Sequence, residues 1–284
     1  MAFVARPGIG LQPTLLAVRP TRGRILVATL CRRALGLNLA CVLPLAVLAL
    51  WQITAQHAWV APQILPEPTT VWQTAMDLVA DGQLQSELLV SMGRLAAGLV
   101  AGGSAGLAVG LALGLSPSAD AYLGPTVRLI WSVPVLGWLP FLMLVFGIGE
   151  TLKIVLIAKT CFLPLMLNSY GGVRAMPAKY RDVARVLELS HGQTLRLVVL
   201  PALLPAILNG FRLSVAKGWQ TLVLVEMIAS AAGIGYLMTW GRKSFQLDVV
   251  LVTMVVIGIA GYGLDLAAEW VQRRFAGWST RTAG

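Results

Sequence analysis

Long apolar runs separated by short polar stretches dominate this chain and predict a bundle of membrane-spanning helices. Residues 34–54 form the first run and reach roughly the 20 residues that are needed to cross the hydrocarbon core of a bilayer. The later runs cover about Leu89–Leu115, Tyr122–Phe146, Leu152–Leu167, Leu203–Ala231 and Val249–Val271. Pro134 and Pro140 interrupt the run Tyr122–Phe146 and predict a bend in this span. The pattern therefore predicts an all-α integral membrane protein with about six transmembrane helices, in which residues 89–271 form the main bundle.

The first apolar run has a competing interpretation as a cleavable signal peptide. Ala55 and Ala58 suit a signal peptidase, but the run is long for this purpose and the basic region before it is unusually extended. We therefore predict a retained first helix, preceded by a basic cytoplasmic arm over residues 1–33.

The segment over residues 55–88 is polar and acidic, and it contains no lysine or arginine. The positive-inside rule places such a segment outside the membrane. After Pro68, five apolar residues fall on one helical face, which predicts a helix lying at the membrane interface. These residues are Val71, Trp72, Ala75, Met76 and Val79.

Composition supports the membrane assignment and excludes several other classes of protein. Of the 284 residues, 57% are hydrophobic and 12% are charged, and the mean hydropathy is +0.77, so one water-soluble core cannot bury the apolar groups. The net charge of +10 fits basic cytoplasmic loops, and we expect no nucleic-acid partner. The three cysteines, Cys31, Cys41 and Cys161, are not spaced as metal ligands and are expected to be small hydrophobic residues.

Glycine recurs at every fourth position in the second predicted span. Small residues at this spacing form a groove in which another helix approaches closely, so the pattern predicts helix packing. No Gly-x-x-x-x-Gly-Lys-Ser/Thr motif occurs in the chain, so we expect this subunit to bind no ATP and no other cofactor. The glycines are Gly98, Gly102, Gly106, Gly110 and Gly114.

One charged stretch, residues 174–201, interrupts the apolar runs between the fourth and fifth spans. Val183, Val186 and Leu187 lie at i, i+3 and i+4, which is typical of a short amphipathic helix. A turn and a second helical segment follow, up to Pro201. Three interpretations are open: a surface loop on its own bundle, a DNA-reading helix-turn-helix, or a docking element for a cytoplasmic partner.

Several short motifs resemble the permease subunits of ABC importers, specifically the nitrate/sulfonate/taurine branch. The likeness extends from about Leu65 to the C-terminus, and it implies a type I importer fold in which residues 174–201 form the cytoplasmic coupling-helix hairpin. The motifs are Leu65-Pro66-Glu67-Pro68, Ser91-Met92-Gly93-Arg94, Phe146-Gly147-Ile148-Gly149-Glu150, Asp182-Val183-Ala184 with the later Leu200-Pro201, and Val225-Glu226-Met227.

This chain departs from the family pattern within the hairpin. Glu188 stands where the family has a glycine, and glycine adopts a positive φ more easily than glutamate. The nearest glycine is Gly192, so we predict that the turn is displaced towards Ser190–Gly192. The coupling residues implied by the resemblance are Asp182, Val183, Ala184, Glu188, Gly192, Leu200 and Pro201.

The resemblance also implies the partners and the location. The hairpin is expected to dock on cytoplasmic ABC ATPase subunits that bind ATP and magnesium, and a periplasmic binding protein is expected to deliver the solute. A second permease subunit, forming a homodimer, would complete the channel among membrane lipids. We expect the bacterial inner membrane, with both termini in the cytoplasm, including a tail over residues 272–284.

A few polar and charged side chains fall inside the predicted spans and are candidates for the substrate pathway. Such residues usually face a cavity or a partner because a charge in the hydrocarbon core costs a few kcal/mol. Lys159 and Lys217 would suit a small anion, with Gln220 on the same helical side as Lys217 and Glu226 nearly opposite. These four residues are the candidates for the substrate pathway. Alternatively, each lysine pairs with a carboxylate such as Glu226 or Glu150.

Two other functions compete with transport driven by a partner ATPase. A membrane-embedded enzyme needs convergent catalytic groups, but the chain has only His57 and His191 and scattered carboxylates. An ion-coupled secondary transporter often has internal repeats and intramembrane acids, and we find no convincing repeat.

Overall fold

The computed structural model describes residues 42–57, 59, 61 and 64–276, and its regular elements there are all helical. The helices are α1 (Val42–Gln56), α2 (Pro68–Ala80), α3 (Gln83–Leu115), α4 (Pro117–Ser132), α5 (Leu139–Phe146), α6 (Glu150–Ala175), α7 (Ala178–Val186), α8 (His191–Thr194), α9 (Leu200–Ala229), α10 (Ile234–Lys243) and α11 (Leu247–Ala276). A 3₁₀ turn (Val135–Trp138) precedes α5, and a π-helical turn (Leu195–Val199) precedes α9.

The chain forms two compact units. The first, Met1–Trp59, contains α1, an apolar helix with exposed side chains such as Leu43 and Leu50. The predicted basic arm over residues 1–33 and the start of the predicted first span lie outside the described residues. The second unit, Val60–Gly284, contains α2 to α11.

Several helices of the second unit have the length and composition of membrane spans. Within the described residues, three continuous helices qualify, namely Gln83–Leu115, Gly192–Ala229 and Leu247–Phe275. A bent pair, Pro117–Ser132 with Val135–Phe146, qualifies as one further span. The predicted fourth span corresponds to the 26-residue α6, which carries charged side chains in its first turns.

The bent pair forms the predicted third span, and its two segments meet at an angle of 89°. The bend lies at Val133 and Pro134, as expected because proline cannot donate the backbone hydrogen bond that would continue the helix. Pro140, the other predicted interruption, lies in the first turn of α5, where a missing N–H is tolerated. The interruption is therefore confirmed, and it is concentrated at Pro134.

Helix α6 lies at the centre of the bundle, and the glycine stripe of α3 packs directly against it. A Cβ atom added at Gly102 would overlap the carbonyl oxygen of Ala158, and one added at Gly106 would overlap that of Phe162. The predicted packing role of the glycines is therefore confirmed, because only glycine permits this approach of the two backbones.

Helix α9 packs on another side of α6, and an apolar core joins the two helices. Leu222 and Ile157 are fully buried there, together with Cys161, whose predicted behaviour as a small buried hydrophobic residue is confirmed. Cys31 and Cys41 lie outside the described residues.

The helix predicted after Pro68 is present as α2, but its apolar face is divided. Val71 and Ala75 pack on the core of the bundle, whereas Trp72, Met76 and Val79 are exposed. The Thr74 hydroxyl group donates a 2.6 Å hydrogen bond to Asp248 of α11, which fixes α2 to the bundle.

Several predicted boundaries move in the structure. Helix α3 begins at Gln83 rather than Leu89, and α11 continues to Ala276 rather than ending at Val271. The stretch between the predicted fifth and sixth spans contains the helix α10. Of the predicted tail, residues 277–284 lie outside the described residues.

Candidate functional site

The predicted hairpin consists of α7, a tight turn, α8 and the π-helical turn that leads into α9. The turn closes as a Schellman motif: the Leu189 N–H donates to the Ala184 carbonyl group at 3.0 Å, and the Glu188 N–H donates to the Arg185 carbonyl group at 3.1 Å. Glu188 occupies the left-handed position of this motif, with φ = 48°.

The predicted displacement of the turn towards Ser190–Gly192 is therefore wrong. The turn stays at Glu188, because the two Schellman hydrogen bonds require a left-handed residue there. Gly192 lies inside α8 and has no positive φ. Ser190 and Gln193 form a capping box that starts α8, in which the Ser190 N–H donates to the Gln193 side chain at 2.9 Å.

Replacing Glu188 with glycine is expected to stabilise the turn. A non-glycine residue in the left-handed region costs about 1–2 kcal/mol, whereas glycine adopts this region freely. Hydrogen exchange of the Leu189 amide should therefore be slower in Glu188→Gly than in Glu188→Ala, which removes the same charge but retains the strain. Equal exchange rates in the two variants would show that the turn stores no such strain.

The exposed surface of the hairpin is apolar at its tip. Val186 is 81% exposed and Leu187 is 61% exposed, and both precede the Glu188 turn. Val186 and Leu187 of the predicted apolar face are therefore not used to pack the hairpin on its own bundle. An exposed apolar pair on a charged helix is typical of a surface that a partner covers.

The predicted coupling residues divide into an outer and an inner group. Asp182, Glu188 and Gly192 are exposed, whereas Ala184 is buried. Leu200 and Pro201 are half-buried at the start of α9, and the side chain of Val183 lies outside the described part of the chain. A cavity of about 570 Å³ lies beneath the hairpin, between Ala184 and Leu115 at the end of α3.

A buried ion-pair network joins α3, α6 and α9 at the other end of the bundle. The Arg94 guanidinium group binds both oxygens of Glu150 at 2.7 Å and one oxygen of Glu226 at 2.7 Å. Ser91 donates to the Glu226 carboxylate at 2.8 and 2.9 Å, and Lys153 pairs with Glu150 at 2.7 Å. Three of the family-like motifs in the sequence therefore meet in one cluster.

The same network holds the loop between α9 and α10. Arg94 donates to the Ala232 carbonyl group at 2.6 Å, and the Ile234 N–H donates to the Ser91 hydroxyl oxygen at 2.9 Å. The Gly233 N–H donates to Glu87. Gly233 has φ = 108°, and a Cβ atom there would overlap the Glu226 carboxylate, so glycine is required for this close approach.

Glu150 precedes the apolar part of α6 and is the most exposed member of the network. Hydrogen bonds from Arg94, together with the nearby Lys153 ammonium group, lower the pKa of its carboxyl group to about 2. The group therefore stays ionised at neutral pH and remains paired with Arg94.

The alternative in which Lys159 or Lys217 pairs with Glu226 or Glu150 is not found among the described residues. The two carboxylates are taken by Arg94 and Lys153, and within the described residues neither Lys159 nor Lys217 has a carboxylate at ion-pair distance. The sequence pattern did not indicate Arg94 as the partner because it lies more than 50 residues from either acid.

Lys159 lies instead at the bend between α4 and α5. Its Nζ donates to the Val133 carbonyl group at 3.1 Å, and it lies 5.9 and 5.6 Å from the ring centroids of Trp131 and Trp138. The Val133 carbonyl group is at the break before Pro134, where the helical hydrogen bonds are interrupted. Lys159 thus satisfies a backbone acceptor and lies over two indole rings.

Lys217 and Gln220 are both exposed on one side of α9, as predicted, and the buried Glu226 lies away from them. Arg212, also on α9, binds both oxygens of Asp265 at 2.7 and 2.8 Å and Glu269 at 3.0 Å. The local sequence pattern does not indicate these partners of Arg212, because both acids lie on the distant helix α11.

Comparison with known proteins agrees with these features. The family described as "Binding-protein-dependent transport system inner membrane component" matches residues 102–278. The putative aliphatic sulfonates transport permease protein SsuC of Bacillus subtilis is 34% identical over 89% of this chain and 92% of its own length. The taurine transport system permease protein TauC of Escherichia coli is 35% identical over 81% of this chain and 86% of its own length.

More distant similarities extend to a nitrate permease and to solved structures. The nitrate import permease protein NrtB of Synechococcus elongatus is 29% identical over 80% of this chain and 85% of its own length. A structure of inward-facing conformations of the MetNI methionine ABC transporter matches with a TM-score of 0.54 and 17% identity, over 64% of this chain and 93% of that one. This likeness confirms the predicted type I importer fold. The chain therefore belongs to the family of inner-membrane components of binding-protein-dependent transport systems, in which it is an integral membrane permease of the nitrate/sulfonate/taurine branch of ABC importers, a transport subunit rather than an enzyme.

Proposed function

We propose that this chain forms the translocation pathway of an ATP-driven importer for a small anionic solute. The observation that carries the coupling part of this proposal is the exposed apolar pair Val186 and Leu187 at the tip of a charged hairpin. An ATPase subunit that covers this pair would remove apolar surface from water and gain a firm attachment.

The partners follow from the family. Two cytoplasmic ABC ATPases that bind ATP and magnesium would dock on the hairpins of two permease subunits, which we propose to be identical copies. A periplasmic binding protein would deliver the solute from outside. The complex would lie in the bacterial inner membrane, with both termini of this chain in the cytoplasm and its lipid-facing side chains in the bilayer.

The continuous helix Gly192–Ala229 provides a mechanical connection for coupling. It begins in the hairpin, includes the π-helical turn, and ends beside the ion-pair network through Glu226. At 1.5 Å per residue, its 38 residues extend over about 57 Å, which exceeds the thickness of the hydrocarbon core. Movement of the ATPases at one end would therefore act on the opposite end of the bundle.

Within the pathway we retain Lys159, Lys217 and Gln220 as candidates for contact with the solute. The lysines have no carboxylate partner among the described residues, so their charges remain available to an anion. Glu226 is only 1% exposed, and its oxygens accept hydrogen bonds from Ser91 and Arg94. We therefore assign Glu226 a structural role.

The docking proposal is tested by replacing Val186 with aspartate in the tagged protein. An unpaired charge at an apolar interface costs several kcal/mol, and each 1.4 kcal/mol is tenfold in affinity, so recovery of the ATPase should fall at least tenfold. The measurement is the amount of ATPase that co-purifies from gently solubilised native membranes.

Phe245→Asp is the matched control, because Phe245 is also an exposed apolar residue, at 85%, but lies in the turn between α10 and α11. It should retain the ATPase at the level of the wild type. Ala184→Asp is less suitable, since Ala184 is buried and the substitution would disturb the hairpin itself. Equal recovery from the Val186 and Phe245 variants would contradict the proposed docking surface.

A further inference from the structure

Two arginines and a tyrosine form a cluster around Asp120 at the hairpin end of the bundle. Asp120 lies in the first turn of α4, and Arg174 lies in the last turn of α6, just before the hairpin. The Asp120 carboxylate accepts hydrogen bonds from Arg128 at 2.8 Å and, on its other oxygen, from Arg174 at 2.7 Å. Because both arginines bind one carboxylate, their guanidinium groups lie close together.

Tyr170 holds the two guanidinium groups in place. The Cζ atoms of Arg128 and Arg174 lie 5.7 and 5.5 Å from the centroid of the tyrosine ring, which is the distance of a cation–π contact. The Tyr170 hydroxyl group donates to Asp120 at 2.7 Å, so the ring and the carboxylate are joined as well. The two cations are therefore ordered before any ligand binds, which lowers the entropy cost of binding.

Arg128 reaches this cluster by extending along α4 towards the hairpin. It follows Asp120 by eight residues, so its Cα atom lies about 12 Å farther along the helix axis. The side chain nevertheless donates to Asp120, as a long cationic side chain does when it carries its charge from the hydrocarbon core to the membrane surface. Both positive charges are thus brought to the end of the span, where lipid headgroups lie.

The two guanidinium groups have unused hydrogen-bonding capacity. Each carries five N–H donors, and within the described residues each makes one hydrogen bond, whereas the buried Arg94 makes four. The side chains of Arg128 and Arg174 are 55% and 46% exposed, and Asp120 is their shared ion-pair partner. One carboxylate against two guanidinium groups leaves the cluster with a net charge of +1.

Exposed apolar side chains lie beside the two cations. Leu129 directly follows Arg128, and it is exposed. Leu167 is also exposed, and it precedes Arg174 by seven residues, or about two helical turns, on the same face of α6. Apolar surface next to a pair of cations suits a molecule that has both an anionic group and hydrocarbon chains.

We propose that Arg128 and Arg174 bind the phosphate group of an anionic phospholipid. Guanidinium groups bind phosphate oxygens through paired hydrogen bonds, and two adjacent guanidinium groups suit the two unesterified oxygens of a phosphodiester. The acyl chains of the lipid lie along Leu129 and Leu167. The site does not depend on the proposed transport function. Only its assignment to the cytoplasmic leaflet, which carries anionic lipids, rests on the proposed orientation of the chain.

The net charge of the cluster makes the site selective among phospholipids. Phosphatidylglycerol has an uncharged glycerol group beyond its phosphate, so the whole headgroup is attracted to the cluster. Phosphatidylcholine carries a quaternary ammonium group there, which the two guanidinium groups repel. The site therefore favours phosphatidylglycerol over phosphatidylcholine with the same acyl chains.

The test is a competition between the palmitoyl-oleoyl forms of these two lipids for the full-length permease. The purified protein in mixed micelles with equal amounts of both lipids is analysed by native mass spectrometry, which measures the lipid that stays bound. We expect at least a fivefold preference for phosphatidylglycerol. Inorganic phosphate should displace no more of it than chloride at equal ionic strength does, because phosphate makes no apolar contact. Displacement by phosphate alone would indicate a site for free anions and overturn the lipid site.

Variants of the two arginines assign the binding to the cluster. Arg128→Gln and Arg174→Gln should each lower the retention of phosphatidylglycerol about fivefold, since each removes one cation from an anionic headgroup. Arg196→Gln is the matched control, because it removes an exposed arginine at the same end of the bundle that is not part of the cluster. It should leave the retention unchanged. Wild-type retention in both cluster variants, or equal retention of the two lipids by the wild type, overturns the site.

Thermal unfolding provides a second measurement that does not depend on lipid retention in the gas phase. Phosphatidylglycerol should raise the unfolding temperature of the wild type more than phosphatidylcholine does, because a ligand that binds the folded state stabilises it. The double variant Arg128→Gln/Arg174→Gln should lose this difference. A difference of the same size in the double variant contradicts the proposal.

Neither measurement requires an ATPase or a solute, so the lipid site and the proposed function are tested separately. A permease that recovers its ATPase but does not prefer phosphatidylglycerol disproves the lipid site alone. A permease that prefers phosphatidylglycerol through Arg128 and Arg174 but recovers no ATPase disproves the coupling proposal alone.

Discussion

Replacing Arg94 with methionine is expected to lower the free energy of unfolding by about 3–5 kcal/mol. Arg94 is 6% exposed, and its removal leaves the Glu226 carboxylate, which is 1% exposed, as a buried charge without a cation. Breaking a buried ion pair from one side has this magnitude because the remaining charge loses its compensation. The measurement is unfolding of the purified protein in detergent, followed by tryptophan fluorescence.

A second substitution tests whether the unpaired charge is the cause. In the Arg94→Met background, Glu226→Gln removes the charge but keeps the Oε oxygen that accepts from both Ser91 and Gly235, so most of the lost stability should return. Arg212→Met is the matched control, because it removes the cation of a more exposed ion pair. It should lower the free energy of unfolding by less than Arg94→Met does. Equal losses in the Arg94 and Arg212 single variants would refute the role assigned to burial.

Replacing Gly102 with alanine is expected to destabilise the bundle by about 3 kcal/mol. The added methyl group would overlap the backbone carbonyl group of Ala158, and a backbone atom cannot rotate away as a side chain does. Overpacking in a closely packed interior costs about 1–3 kcal/mol, and the upper end applies when helices must separate. The same detergent unfolding assay measures the effect.

Gly93 provides the control on the same helix. A Cβ atom added there meets no atom within 4 Å, so Gly93→Ala should leave stability unchanged or raise it by up to about 1 kcal/mol through helix propensity. If Gly93→Ala and Gly102→Ala destabilise the protein equally, the contact between α3 and α6 is not the reason for the glycine stripe.

The sequence predicts the features that depend on local periodicity and on special residues. Glycines at intervals of four predict the approach of α3 to α6, because a missing side chain is visible in the sequence itself. Pro134 likewise predicts the bend in the third span, because the residue type that causes the bend is visible in the sequence. The amphipathic pattern around Val186 predicts the helix of the hairpin, although it does not show that Val186 and Leu187 are exposed.

Features that depend on distant parts of the chain are not predicted. Arg94 meets Glu226 across 132 residues, and nothing in the local pattern distinguishes this partner from a lysine. Lys159 meets a backbone carbonyl group that becomes available only because the helix breaks at Pro134. The Glu188 turn shows a third limit: the hydrogen bonds of a Schellman motif can hold a residue in a conformation that its own preference disfavours.

The π-helical turn at Leu195–Val199 sets how the hairpin is oriented around the axis of α9. The Leu200 N–H donates to the Leu195 carbonyl group, which lies five residues earlier, so this turn holds one residue more than an α-helical turn. Pro201 follows directly, and its ring is incompatible with the usual carbonyl position four residues before it. Since each residue of an α-helix contributes about 100° of rotation, loss of a single residue here would turn a different face of the hairpin outward. The number of residues in this turn therefore determines the direction in which the hairpin faces, independently of the side chains on the hairpin surface.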